Sequence, residues 1–107
     1  MEQVDGGASA AVAPGVDETG LPIIRIIGEL DISNVAVIEG QLAALVDDAS
    51  RPLTFDLSSL TFMDSSGLAM LLRTADQSGP IVIRQPTGTV RRIIQATGLS
   101  DVLRVEA

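Results

Sequence analysis

Two β-branched runs, Leu21-Pro22-Ile23-Ile24-Arg25-Ile26-Ile27 and Ile81-Val82-Ile83-Arg84, alternate with segments whose apolar residues recur at helical spacing. That alternation constrains the fold more than any other feature, because strands separated by amphipathic helices assemble as right-handed βαβ units. Val35, Ile38, Leu42, Leu45 and Val46 mark a helix from Ser33 to Asp48, with Ser33 or Asp31 available as its cap. Leu68, Leu71, Leu72 and Ala75 mark one face of a second helix, from Ser65 to Gln77, which Gly79 closes. Val90, Ile93, Ile94 and Thr97 mark a third, Thr89 to Thr97, with Arg91, Arg92 and Gln95 outward and Gly98 following. Leu53 to Leu57 alternates as a short strand after the break at Arg51-Pro52.

The remaining segments are read by their punctuation. Residues 1–7 are polar and are expected to be a flexible N-terminus, with residues 8–107 forming one domain. Ala8 to Ala13 is expected to be an edge strand, joined through the turn Pro14 to Gly20 to the first isoleucine run. Gly28-Glu29-Leu30-Asp31 is expected to end that run, Ser58 to Asp64 to be a connection, and Val102 to Val105 to be a last strand or the end of the helix layer. The fold class is therefore α/β: a mixed sheet of four to five strands with helices mainly on one face.

What the chain lacks limits its chemistry. It contains no Cys and no His, and its seven basic residues are all Arg. Thiol nucleophiles, thiolate zinc sites, imidazole bases, Schiff-base lysines and the lysine of a phosphate-binding loop are excluded together. No catalytic residue, metal or cofactor is expected, although Asp31, Asp64 and Ser65 are the groups a magnesium ion would use. With only 2% aromatic residues the core must be aliphatic, with Phe55 and Phe62 as its rings. A net charge of −7 opposes nucleic-acid binding and favours a protein partner with a basic face. Met1-Glu2-Gln3-Val4-Asp5 has neither the charge nor the apolar stretch of a signal peptide, and no apolar run is long enough to span a bilayer, so a cytoplasmic location without membrane insertion is expected.

Asp64-Ser65-Ser66-Gly67-Leu68 stands where a loop becomes a helix. Asp and Ser at such a point serve as ordinary caps for unpaired backbone N–H groups. The same place suits a phosphoryl group, which carries roughly −1.5 to −2 charge and would meet the helix N-terminus. Gly67 is costly inside a helix, by about 1 kcal/mol against Ala, and is explained by close backbone approach or by a simple turn.

The run Phe62-Met63-Asp64-Ser65-Ser66-Gly67-Leu68 resembles the phosphorylation segment of bacterial anti-sigma factor antagonists of the STAS domain family. Gly28-Glu29-Leu30-Asp31, Phe55-Asp56-Leu57-Ser58-Ser59-Leu60 and Thr97-Gly98-Leu99 resemble further segments of that family in the same order, and the likeness extends over about residues 20–105. The resemblance implies a STAS-like fold and a switch. The unphosphorylated antagonist binds an anti-sigma factor, a serine kinase with an ATP-binding fold, and so frees a sigma factor for transcription. The kinase phosphorylates Ser65, the complex separates, and a phosphatase resets it. By the same resemblance Asp31, Asp64, Ser66 and Gly67 form the partner-binding surface around Ser65. The alternative it leaves is a non-switching STAS-like subunit of a lipid-transport ATPase or a sensory assembly, in which Ser65 is only a cap residue.

Overall fold

Successive residues of the first isoleucine run part to opposite faces of a strand: Ile24, Ile26 and Leu30 are buried, while Arg25, Ile27 and Glu29 are exposed. The computed structural model describes residues 9–45 and 53–106. Its elements run β1 (Ala10–Val16), β2 (Pro22–Leu30), α1 (Val35–Leu45), β3 (Leu53–Asp56), β4 (Leu60–Met63), α2 (Ser65–Ser78), β5 (Ile81–Arg84), α3 (Gly88–Ala96) and β6 (Leu103–Glu106). The expectations for residues 1–7, Ala8, Val46, Asp47, Asp48 and the Arg51-Pro52 break lie outside the described residues.

The strands form one mixed sheet in the order β1-β2-β3-β5-β6, with β4 also on β2. Only β1 is antiparallel to its neighbour; β2, β3, β4, β5 and β6 all run parallel. The βαβ reading of the sequence is thus met, with six strands in place of four to five, and β1 lies at an edge as expected.

Two departures matter for the site. The connection expected at Ser58 to Asp64 contains β4, and β2 does not end at Gly28 but continues to Leu30. The two belong together. β3 pairs with β2 at Ile24 and Arg25, then the chain turns at Leu57–Ser59 and β4 pairs farther along the same edge, at Gly28, Glu29 and Leu30. The register shifts between Gly28 and Glu29, where Gly28 has φ 102° and donates to the Ser59 carbonyl at 2.9 Å. A strand of four residues with its middle two exposed shows no alternation, so only its pairing reveals it.

β1 likewise runs on through Pro14 and Gly15, expected as turn. An edge strand tolerates a residue without an N–H donor. The true turn is Asp17–Gly20: the Asp17 carboxylate accepts from the Thr19 N–H at 2.8 Å, the Thr19 hydroxyl at 2.6 Å and the Leu21 N–H at 3.0 Å.

The helices fill one face of the sheet. Val35, Ile38 and Leu42 of α1, Met70, Leu71 and Ala75 of α2, and Val90 and Ile94 of α3 are buried with the inward strand residues. Each such aliphatic side chain contributes roughly 1.5–3 kcal/mol by leaving water. Leu45, expected inward, is 38% exposed, and Leu68 and Leu72 are only partly buried. Of the two rings expected in the core, Phe55 is fully buried and Phe62 is 42% exposed, because Phe62 stands opposite the exposed Glu29. Arg73 and Glu39 tie α2 to α1 through two bonds of 2.8 and 2.7 Å. Gly79 closes α2 with φ 91°, its N–H donating to Ala75. Among the described residues no helix is long and apolar enough to cross a membrane.

Candidate functional site

The site grows out of one pair of strand ends. Leu30 and Met63 are the last partners of β2 and β4, and the Asp64 N–H donates to the Leu30 carbonyl at 3.2 Å. Asp31 and Asp64 therefore step off neighbouring parallel strands side by side. The chain from Asp31 enters α1 and the chain from Asp64 enters α2.

Asp64 is the N-cap of α2, with φ −99° and ψ −171°. Its Oδ1 accepts from the Ser66 N–H at 2.8 Å and the Gly67 N–H at 3.2 Å, and its carbonyl accepts from the Leu68 N–H at 3.1 Å. Those bonds neutralise two of the open donors of the first helical turn. They also mean that a group added to Ser65 would not find the Ser66 and Gly67 donors free. Ser65 follows at the first helical position with its side chain exposed, Ser66 is half-buried and Gly67 is buried.

Gly67, expected on the partner-binding surface, faces inward. A Cβ there would stand 2.6 Å from Met63 Cγ and 2.9 Å from Leu30 Cδ2. The close approach is made by the protein's own sheet. Gly67 bears on the site by letting α2 sit down on β2 and β4, which sets the height of Ser65.

Asp31 has a matching role at the other loop. Its Oδ1 accepts from the Ser33 N–H at 2.9 Å and the Ser33 hydroxyl at 2.6 Å, and its carbonyl accepts from Asn34 and Val35. Asp31, and not Ser33, caps the turn that leads into α1. Asn34 closes the loop by accepting from the Asp31 N–H at 3.1 Å and donating to the Glu29 carbonyl at 2.8 Å. At its apex Ile32 is 75% exposed. Nothing in the local spacing of the sequence marks Ile32 as exposed.

The two strand ends thus bring together the exposed Ser65 on a fixed helix start, two carboxylates held as caps, and the exposed Ile32 of the neighbouring loop. Among the described residues no group of three or more Asp or Glu side chains is arranged to hold a metal ion. The arrangement offers an exposed hydroxyl to another molecule.

A second charged feature lies on the uncovered face of the sheet. Register aligns Arg25, Asp56, Arg84 and Glu106 across β2, β3, β5 and β6, so that charges alternate from strand to strand. Arg25 meets Asp56 at 3.4 Å and Arg84 meets Glu18 of the β1–β2 turn at 3.4 Å. The Thr19 hydroxyl holds the Asp17 carboxyl below the usual range against an opposing effect of burial, and the backbone N–H groups of Leu21 and Thr19 and the Arg84 charge add smaller lowering effects. A cleft of about 200 Å³ opens there, lined by Val16, Ile23, Gln85 and the charged Asp17, Glu18, Arg25, Asp56 and Arg84, and none of the five expected site residues borders it. The sequence held no sign of this row, because residues far apart in the chain become neighbours only through strand register.

The comparisons with known proteins follow the same lines. A family model described as Mlab, STAS domain, matches residues 15–105. The anti-sigma-F factor antagonist RsfB of Mycobacterium tuberculosis is 30% identical over 92 residues, 83% of this chain and 75% of that protein. An anti-sigma F factor antagonist of Lysinibacillus sphaericus is 32% identical over 82 residues, 72% of this chain and 70% of that protein. Among solved structures, an anti-sigma factor antagonist from Mycobacterium paratuberculosis superposes with a TM-score of 0.76 at 26% identity, covering 91% of this chain and 85% of its own. The anti-sigma factor antagonist SpoIIAA in its unphosphorylated form superposes with a TM-score of 0.69 at 26% identity, covering 91% and 89%. With the fold, the order of motifs and these relatives in agreement, the chain belongs to the STAS domain family of anti-sigma factor antagonists.

Proposed function

We propose that this chain acts by binding, without catalysis of its own, as an anti-sigma factor antagonist switched at Ser65. Unphosphorylated, it docks on an anti-sigma factor that is a serine kinase with an ATP-binding fold, and so regulates sigma-factor-dependent transcription in the cytoplasm. Phosphorylation of Ser65 by that kinase releases it, and a phosphatase resets it. Asp31, Asp64 and Ser66 form the docking surface with Ser65, and Gly67 serves through its placement of the helix.

The observation that carries this reading is the exposed Ser65 at the start of α2, between a cap residue whose bonds fix it and a glycine that seats the helix. A kinase needs its acceptor hydroxyl in the open. The switch follows from charge. A phosphoryl group adds roughly −1.5 to −2 charge beside the Asp64 carboxylate. The Ser66 and Gly67 donors already serve Asp64, so the new charge leans largely on water. A partner that covers Ser65 strips that water away, and an unpaired or like charge in an interface costs several kcal/mol. Each ~1.4 kcal/mol is tenfold in affinity, so release by two or more decades is expected.

The test is incubation with the purified kinase and ATP, followed by mass spectrometry and binding calorimetry. A single phosphate on Ser65, none on Ser65→Ala, and at least ~100-fold weaker binding by the phosphorylated form support the proposal. An unmodified Ser65, or equal affinity before and after phosphorylation, overturns it and leaves the non-switching subunit as the better reading.

A further inference from the structure

The β2–α1 loop carries a feature that its folding does not explain. Ile32 is 75% exposed, the most exposed of the large apolar side chains among the described residues. An isoleucine in water loses the stabilisation that burial would bring. A mobile loop could fold such a side chain back against the protein, but this loop is tied on both sides. Asp31 holds Ser33 through two bonds, its carbonyl accepts from Asn34 and Val35, and Asn34 bonds the Asp31 N–H and the Glu29 carbonyl. The isoleucine is held outward by bonds that Ile32 does not itself make.

Its surroundings are acidic. Ile32 follows Asp31 directly, Asp64 leaves the adjacent strand end, and the exposed Glu29 lies two residues before Asp31 on β2. A preordered apolar side chain on a loop flanked by acidic residues has the form of an interface anchor: little ordering entropy remains to be lost on binding, and the nearby charges steer a partner of opposite sign.

We propose that Ile32 is the apolar anchor of the docking surface, seated in a hydrophobic pocket of the anti-sigma factor whose rim carries Lys or Arg side chains. The inference rests on the functional reading above and adds the residue that sets affinity and partner choice. Ser65 governs whether the complex forms; Ile32 governs with which partner and how tightly. The anchor and the switch stand on neighbouring loops because β2 and β4 end side by side, so one partner surface covers both.

The experiment compares wild type, Ile32→Ser, Ile32→Val and Val16→Ser for binding to the purified anti-sigma factor kinase by calorimetry, and for Ser65 phosphorylation kinetics. Val16 is 68% exposed and lies in β1, which makes it a control for the general loss of a surface apolar group. Ile32→Ser is expected to bind about 30-fold or more weakly, the loss that marks an interface anchor. Ile32→Val should recover most of that loss, and Val16→Ser should bind as wild type does. In phosphorylation, Ile32→Ser should raise KM for the antagonist with little change in kcat, since the hydroxyl is untouched. All four should melt alike, which separates a binding defect from misfolding. Wild type and Ile32→Ser binding within about twofold of one another would overturn the anchor and leave the Ser65 switch standing. Wild type that fails to bind the kinase at all would overturn the functional reading, and the anchor with it.

Discussion

Replacing glycine by alanine at Gly67 and at Gly40 should move stability in opposite directions, although both lie inside helices. At Gly40 of α1 an added methyl meets nothing within 4 Å. Only the intrinsic preference then acts, and Ala is favoured over Gly by about 1 kcal/mol in a helix interior. Gly67 enjoys the same gain but has no room for it. The new Cβ would stand 2.6 Å from Met63 Cγ, 2.9 Å from Leu30 Cδ2 and 3.0 Å from Leu30 Cγ. Leu30 and Met63 are both 0% exposed, so neither can swing into solvent to make way. Forcing a methyl group into such packing costs typically 1–3 kcal/mol, and a contact this short with two immobile neighbours places the cost near the upper end. Less the ~1 kcal/mol of helix preference, Gly67→Ala should lose about 1–2 kcal/mol. For a domain of this size that is a fall of roughly 5–15 °C in Tm, against a rise of several degrees for Gly40→Ala. Thermal and urea unfolding followed by circular dichroism measure both. A Gly67→Ala variant as stable as wild type would refute the argument that the sheet, by its closeness, requires glycine there. The variant should also be a poorer phosphorylation substrate, because the methyl lifts the first turn of α2 from the sheet and moves Ser65.

Three further outcomes follow from the geometry. Gly28→Ala combines a φ of 102° with a Cβ that would overlap the Ser9 carbonyl oxygen and crowd Ala10 Cα at 3.2 Å, so it should cost more than about 2 kcal/mol and strip hydrogen-exchange protection from β1 before the rest of the sheet. Asp64→Ala removes the cap bonds to Ser66 and Gly67 and should lose about 1 kcal/mol in urea titration, while Asp64→Asn, which keeps an oxygen acceptor, should lose less. The hydrogen bonds from Arg73 hold the Glu39 carboxyl below its ordinary value of 4.5, against a smaller opposing effect of burial; being depressed in the fold, the group contributes stability above its unfolded value and loses it as pH falls through the folded one. An NMR titration should show Glu39 titrating below the ordinary range, and Arg73→Gln should return it there; with Arg73 half exposed, the effect on overall stability is small.

The short-range physics of this protein was legible in its residues. The isoleucine runs announced strands, the apolar spacing announced three helices, and Gly79 and Asp64 announced a helix end and a helix start, because period and capping are settled within a few positions of the chain. The helix start at Asp64-Ser65-Ser66 was legible for the same reason, while the choice of Ser65 as acceptor came from the resemblance of that run to the family's phosphorylation segment. Tertiary structure alone decided what depends on partners far along the chain. It made Leu60–Met63 a strand by pairing it with the end of β2, and so brought Asp31 beside Asp64. It turned Phe62 outward opposite Glu29, and it aligned Arg25, Asp56, Arg84 and Glu106 into one row. It also supplied the reason for Gly67. A sequence shows that a glycine is present; how near Leu30 and Met63 come to its α-carbon depends on how two strands and a helix stack, and that distance exists only in the folded chain.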